Sequence, residues 1–153
     1  MSNNESSFGF LLYDTARLLR REFDRRTRCV GLSRAKWSVL AHLSRNEGIR
    51  QAGLAEILDI SPITLTRHLD RLEQEQLVER RADPDDRRAY RLFLTEAAGP
   101  ALEMLRELAE QTRALALSGL SEAQRTELMD LLQQVQLNLG AAQPRSGEAS
   151  NHG

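Results

Sequence analysis

The segment Ser61-Pro62-Ile63-Thr64-Leu65-Thr66-Arg67-His68-Leu69-Asp70-Arg71-Leu72 constrains the fold more than any other part of the chain. Ser61 is a good helix N-cap, and Pro62 stands at the first helical position, where its missing N–H costs nothing. Leu65, Leu69 and Leu72 then recur at helical spacing, so one face of this helix can pack on a core. Ile63, Thr64, Thr66, Arg67, Asp70 and Arg71 fall elsewhere on the helix. That outer set is short, hydrogen-bonding and includes arginine. It suits the reading of a major groove, since Arg bonds paired acceptors on guanine and Thr touches a methyl group or a phosphate. Taken alone, the segment is better read as an ordinary solvated amphipathic helix. Its surroundings reverse that reading.

A chain of 153 residues, 41 % apolar and 28 % charged, suits one soluble domain with a real core. No apolar run reaches the length of a membrane span and Met1–Ser7 is polar. Neither a transmembrane helix nor a signal peptide is therefore expected, and the chain is read as cytoplasmic, with no membrane partner. The single cysteine, Cys29, excludes an intrachain disulfide and suits a reducing compartment. The net charge of −1 is uninformative, but its distribution is not. Arg17, Arg20, Arg21, Arg25, Arg26, Arg28, Arg34 and Lys36 face only Glu22 and Asp24, a local sum of +6. From Glu96 to Leu139 the sum is −4. One end of the molecule is thus suited to a polyanion and the other is not.

In chain order, Ser6 or Ser7 caps a first helix reaching about Arg28, with Phe8, Leu11, Leu12, Thr15, Leu18, Leu19 and Phe23 in its stripe. That stripe is broad for a small domain and suits a partner subunit. Ser33 opens a second helix with Trp37, Leu40, Ala41 and Leu43 apolar. Ile49-Arg50 is a short extended link. Gln51 to Asp59 is a third helix, with Leu54, Ile57 and Leu58 inward. Ile60-Ser61 turns into the helix described first, completing a helix-turn-helix. Strand-like Leu77–Arg81 and Tyr90–Leu94 then flank Ala82-Asp83-Pro84-Asp85-Asp86-Arg87-Arg88-Ala89, a loop dense in turn formers. Tyr90, Leu92 and Leu94 alternate to one side. A hairpin in this place is a wing, with Arg87 and Arg88 at its tip. Such an arginine can enter a narrow minor groove, with a neighbouring carboxylate orienting its guanidinium.

Thr95 can cap a long helix to about Gly119, although Pro100 implies either a start at Gly99-Pro100 or a distorted first turn. Its stripe is Leu102, Leu105, Leu108, Ala109, Thr112, Leu115 and Ala116. Ser121 with Gln124 forms a capping box for a last helix bearing Leu128, Leu131, Leu132, Val135 and Leu139. The expected fold is mainly α with a small β wing. A winged helix-turn-helix over about 33–94 stands between dimerisation helices over about 8–28 and 95–139. These make a single domain, 8–140, between disordered ends at 1–7 and 141–153. A dimer suits a palindromic DNA site, which two recognition helices would read one helical turn apart.

The sequence resembles the MarR (multiple antibiotic resistance regulator) family of bacterial transcription factors, and most closely its SlyA-like branch. The likeness covers about Leu11 to Leu139. It rests on Asp83-Pro84-Asp85-Asp86-Arg87-Arg88 followed by Leu94-Thr95-Glu96. Leu69-Asp70-Arg71-Leu72-Glu73 ahead of Leu77-Val78-Glu79-Arg80 supports it, as does Leu32-Ser33 before Trp37 and Leu40. The resemblance implies a triangular homodimer interlocked through its first, fifth and sixth helices. It implies that the helix from Pro62 enters the major groove and that Arg88, braced by Asp86, enters the minor groove. The DNA-binding residues are then Ser61, Pro62, Thr64, Thr66, Arg67, Arg71, Asp86, Arg87 and Arg88, with Arg34 and Lys36 near phosphates. It also implies a small aromatic or phenolic ligand between the dimerisation layer and the winged helix, where Trp37 is the pocket tryptophan. Arg17 would meet a carboxylate there, with His42 nearby. Trp37 is as readily a core residue, and Arg17 a surface charge. Ala97-Ala98-Gly99-Pro100 departs from the family's usual Lys-Gly after Leu-Thr-Glu. Cys29 lies outside the N-terminal position of the peroxide-sensing branch.

The function expected is a homodimeric, sequence-specific regulator on double-stranded DNA, a repressor released by its ligand. The alternatives are a winged-helix protein-interaction module without DNA binding, or a thiol-responsive regulator using Cys29, whose neighbours Arg26 and Arg28 would lower its pKa if it were exposed. No enzyme is expected, and no metal or other cofactor. His42, His68, His152 and Cys29 have no metal-ligand spacing, and neither a phosphate loop nor a nucleophile elbow occurs.

Overall fold

The computed structural model describes residues 7–142. Its elements are α1 (Ser7–Cys29), α2 (Arg34–Arg45), α3 (Gln51–Leu58), α4 (Pro62–Gln74), β1 (Val78–Ala82), β2 (Tyr90–Leu94), a 3-10 turn (Glu96–Ala98), α5 (Gly99–Ala116) and α6 (Glu122–Ala142). The order is that of a winged helix-turn-helix with helices before and after it. Ser7, Ala141 and Ala142, expected outside the domain, are helical; the other residues expected to be disordered lie outside the described range. Among the described residues no helix is long and apolar enough to cross a membrane. The chain divides into two compact units, Met1–Ala114 and Leu115–Gly153.

In the first unit the core gathers around α4. Leu65, Leu69 and Leu72 are buried, packed with Val39, Leu40 and Leu43 of α2, Leu54 of α3, and Val78 and Leu92 of the hairpin. The start of α4 is fixed as the sequence requires: Ser61 Oγ accepts the Thr64 N–H at 3.2 Å, with Pro62 inside the first turn. Before it, α3 stops at Asp59, which takes the left-handed conformation (φ 52°). Asp tolerates that region better than most residues. The Ile60 N–H returns to the Ala55 carbonyl at 3.1 Å, and the chain reverses. Gln51 Nε2 then donates to Thr66 Oγ1 at 2.9 Å, tying α3 to α4.

The hairpin is antiparallel, with Val78 opposite Leu94 and Ala82 opposite Tyr90. The extended link before α3 joins its free edge. The Leu92 N–H donates to the Ile49 carbonyl at 3.0 Å, and the Gly48 N–H to the Leu92 carbonyl at 2.8 Å. Leu92 is buried and Leu94 half-buried, but Tyr90, on the same side, is exposed because the hairpin runs out past the core.

Most of the α1 stripe lies open in the single chain: Phe8, Leu11, Leu12, Leu18 and Leu19 are exposed and only Phe23 packs on the core, while the buried residues of α1 are Asp24 and Thr27. Two expectations are corrected. On α3, Ala55 takes the buried place expected for Ile57. Thr95 caps no helix with its side chain. Its hydroxyl donates to the Gln76 carbonyl at 2.5 Å, one 3-10 turn follows, and α5 begins at Gly99 with Pro100 in its first turn, where no intrahelical amide is needed.

In the second unit the capping box is present. Ser121 Oγ accepts the Gln124 N–H at 3.2 Å, and Gln124 Oε1 accepts the Ser121 N–H at 2.9 Å. Arg125 donates to the Leu117 and Leu120 carbonyls, both at 3.1 Å, and so holds the turn before α6. Yet α6 buries no residue: Leu128, Leu131 and Leu139 are exposed, and Leu132 and Val135 half-buried.

Because Leu69 is fully buried, Leu69→Ala should lower the unfolding free energy by about 2–5 kcal/mol in urea titration. A loss below about 1 kcal/mol would mean that the core does not close on α4.

Candidate nucleic-acid interface

The packing of α4 leaves Arg67 and Arg71 on its exposed side. Neither has an ion pair among the described residues, and the same holds for Arg87 and Arg88 at the wing tip. Several of the surrounding charges, by contrast, are paired. Arg80 of β1 donates through Nη2 to Asp70 Oδ1 at 2.7 Å and to the Thr66 carbonyl at 3.2 Å. Its Nε stands 3.5 Å from Glu73 Oε2, an ion-pair distance without hydrogen-bond alignment, which leaves that N–H without an acceptor. One arginine thus fixes the wing's first strand against the helix. Asp70, the only carboxylate within the outward set, is the one it occupies.

The wing is anchored by Asp83. Its carboxylate is buried and accepts the Asp85 N–H at 2.8 Å, Arg50 Nε at 2.8 Å and Arg91 Nε at 3.0 Å. The Asp85 amide holds this carboxyl below the usual carboxylate range; burial opposes the shift, and Arg50 and Arg91 add to it. Asp83 therefore locks the root of the loop to β2 and to the residue before α3. Asp86 was expected to orient the guanidinium of Arg88. It accepts the Arg88 backbone N–H instead, at 2.9 Å, which shapes the loop and leaves the guanidinium free to reach. Between the start of α4 and the wing lies an open hollow of about 530 Å³ lined by Arg50, Gln51, Pro62, Thr66, Arg80 and Arg88 among others.

The other residues expected at DNA are placed as follows. Ser61 and Thr64 share a side-chain hydrogen bond of 2.8 Å at the helix start, and Pro62 is exposed there. Thr66 is engaged by Gln51 and by the Pro62 carbonyl, so its hydroxyl serves the turn. Lys36 Nζ pairs with Glu75 Oε2 at 2.7 Å, joining α2 to the end of α4. Arg34 is bound to Asp24 through Nε at 2.7 Å and through Nη2. Both cations expected near phosphates thus hold carboxylates of this chain.

Asp24, which the sequence did not single out, joins α1 to α2. It is 7 % exposed and accepts Trp37 Nε1 at 2.9 Å in addition to Arg34. Burial alone would raise its pKa; the hydrogen bonds from Arg34 and Trp37 outweigh that and hold it below the usual range. Phe23 meets the Trp37 ring edge-on, with centroids 4.7 Å apart. Trp37 also lines a second hollow of about 500 Å³ with Arg20, Arg34, His42, Ile57 and His68. Arg17, expected there, does not line it and stands 3.8 Å from Asp14 on its own helix. Arg20, three residues on, takes that place. Helical spacing puts Arg17 and Arg20 on neighbouring positions, and only the packing of α1 on α2 distinguishes them. Cys29 is exposed, its thiol donating to the Arg25 carbonyl at 3.3 Å.

Residues 32–90 match the family model described as "MarR family". A solved structure titled as transcriptional regulator PA3341 is 37 % identical, with a TM-score of 0.76, over 88 % of this chain and 98 % of that one. The chain belongs to the MarR family. A MarR transcriptional regulator from Methanosarcina mazei Go1 is similar over 90 % of this chain and 99 % of its own, at 25 % identity and a TM-score of 0.79. The transcriptional repressor CouR, solved on a 23-mer DNA duplex, is 27 % identical over 89 % of this chain and 96 % of its own, with a TM-score of 0.71. The family and these neighbours are transcription regulators, and the winged-helix fold is common to them and to this MarR-family chain.

Asp24→Asn leaves Trp37 an acceptor but removes the charge facing Arg34. It should cost about 1–3 kcal/mol at neutral pH. Asp24 has a lowered pKa in the folded state. Its contribution is therefore complete above the unfolded carboxylate value of about 3.9 and is lost as pH falls through the lower folded value. Urea midpoints of the two proteins should differ at neutral pH and converge in acid below about pH 4; a constant difference would show that the charge of Asp24 is not what stabilises this joint.

Proposed function

We propose that this chain is a sequence-specific regulator of transcription that binds double-stranded DNA in the cytoplasm as a homodimer on a palindromic operator. One observation carries the reading. Arg67, Arg71, Arg87 and Arg88 stand on the outward side of α4 and at the wing tip without carboxylate partners among the described residues, although Arg50, Arg80 and Arg91 near them are paired with Asp83, Asp70 and Glu73. Exposed cations kept free in this way suit a polyanion, with α4 in the major groove and the wing in the flanking minor groove. Ser61, Pro62, Thr64 and Asp86 support the two reading elements. The DNA duplex carried by CouR agrees with this. The homodimer is supported by the exposed apolar residues of α1 and by those of α6, each more than a monomer's surface helix would ordinarily show.

The chain is further proposed to be a repressor of the SlyA-like branch, released by a small aromatic or phenolic ligand. The hollow at Trp37 has the size of a small-molecule site, and Arg20, Arg34, His42 and His68 give it the means to hold an acidic or phenolic group. Arg34 already bridges to α1 through Asp24 there. A carboxylate ligand competing for Arg34 would loosen the joint between α1 and the winged helix.

The test is fluorescence anisotropy against the intergenic DNA beside the chain's own coding sequence, with a scrambled duplex of equal length, in rising salt. Tight, selective, salt-sensitive binding is expected. Arg88→Ala should weaken it by about 1–3 kcal/mol and reduce the salt slope by about one, with an unchanged melting curve. Wild-type affinity in that variant would remove the wing from the interface. Equal weak binding to both duplexes would favour a protein-interaction role instead. Added salicylate should release the duplex from the wild type but not from Trp37→Ala; release from both would place the ligand elsewhere.

A further inference from the structure

The outward side of α4 carries one large apolar residue, Ile63, and it is 70 % exposed. Within the winged helix the other exposed large apolar residues, Ile57 and Tyr90, are less open, at 45 % and 50 %. Ile63 is not part of the core, makes no ring contact and has no role in the cap, which Ser61 and Thr64 supply. Left in water, such a side chain has no stabilising work to do.

Its neighbours show what it is placed to meet. Ile63, Arg67 and Arg71 follow at i, i+4 and i+8, so they form one row along the helix. An apolar head at the N-terminal end is followed by two arginines without ion pairs among the described residues. The first turn of a recognition helix is the part that reaches base edges. A β-branched side chain has few rotamers to lose there. The floor of the major groove offers one apolar group, the C5-methyl of thymine. The free arginines along the same row supply the charge that brings a polyanion to that face. A protein partner with an apolar socket would have to accept the same two cations.

We infer that Ile63 is a specificity-determining residue that packs on a thymine methyl group in each half of the operator. This rests on the DNA-binding reading and deepens it. It makes sequence preference at that position a matter of shape and methyl contact, while Arg67 and Arg71 act on guanine or phosphate.

The probe is a duplex selected by the wild-type protein from a randomised pool. Each thymine is replaced in turn by deoxyuridine, which removes only the methyl group, and binding is followed by anisotropy for wild type and Ile63→Ala. At one thymine in each half-site the wild type should lose about fourfold in affinity, the worth of one buried methyl. The variant should lose nothing there and retain the wild-type response at every other thymine. Identical deoxyuridine profiles for the two proteins would overturn the inference while leaving DNA binding intact. So would a wild type that binds selectively with no thymine sensitive to methyl loss. If no sequence is enriched from the pool, the DNA-binding reading itself fails and the inference with it. A melting curve of Ile63→Ala equal to wild type is expected, since the residue lies outside the core.

Discussion

Burial of Leu65, Leu69 and Leu72 is the constraint on which the rest of the winged helix depends. The ridge can be covered only if α2, α3 and the hairpin close on it together, and Leu40, Leu43, Leu54 and Leu92 do so. Once α4 is held by that face its opposite face is determined, because a rigid helix cannot rotate one side without the other. Ile63, Arg67 and Arg71 are outward because the leucines are inward. The hydrophobic effect, which has no direction of its own, thereby aims the side chains that give the molecule its direction.

Two buried carboxylates complete what the core begins. Asp83 gathers Arg50, Arg91 and a backbone amide at the root of the wing, and Asp24 gathers Arg34 and Trp37 where α1 meets α2. A buried carboxylate is costly without donors, so each is stable only in the geometry that supplies them. These contacts act as registration points between elements. Together with the Asp70–Arg80 pair they commit Arg34, Arg50, Arg80 and Arg91 to positioning the frame, while Arg67, Arg71, Arg87 and Arg88 remain free to meet a partner. The count of arginines is the same either way; the allocation makes an interface.

Much of this was legible in the chain itself. The leucine spacing, the Ser61-Pro62 start, the Ser121–Gln124 box and the Asp-Pro loop are local signals whose physical effect needs no distant partner, and the elements they mark are present. The failures share one cause. Ile57 was expected inward on α3, yet it is exposed and Ala55 is buried, because periodicity says that a face is apolar and not what covers it. The resemblance places Arg34 and Lys36 near phosphates; in the structure Asp24 and Glu75 also hold them, pairings that spacing along the chain does not show.

Element types, their order and the winged-helix arrangement follow from periodicity and caps, which act over a few residues and are written in the sequence. Which cations are spent inside the molecule, that Arg20 and not Arg17 reaches the hollow at Trp37, and that Asp86 holds the backbone of Arg88 were decided by packing. The reason is range. A hydrogen bond forms or fails within a few tenths of an ångström, and that distance between residues far apart in the chain is set by the closed core.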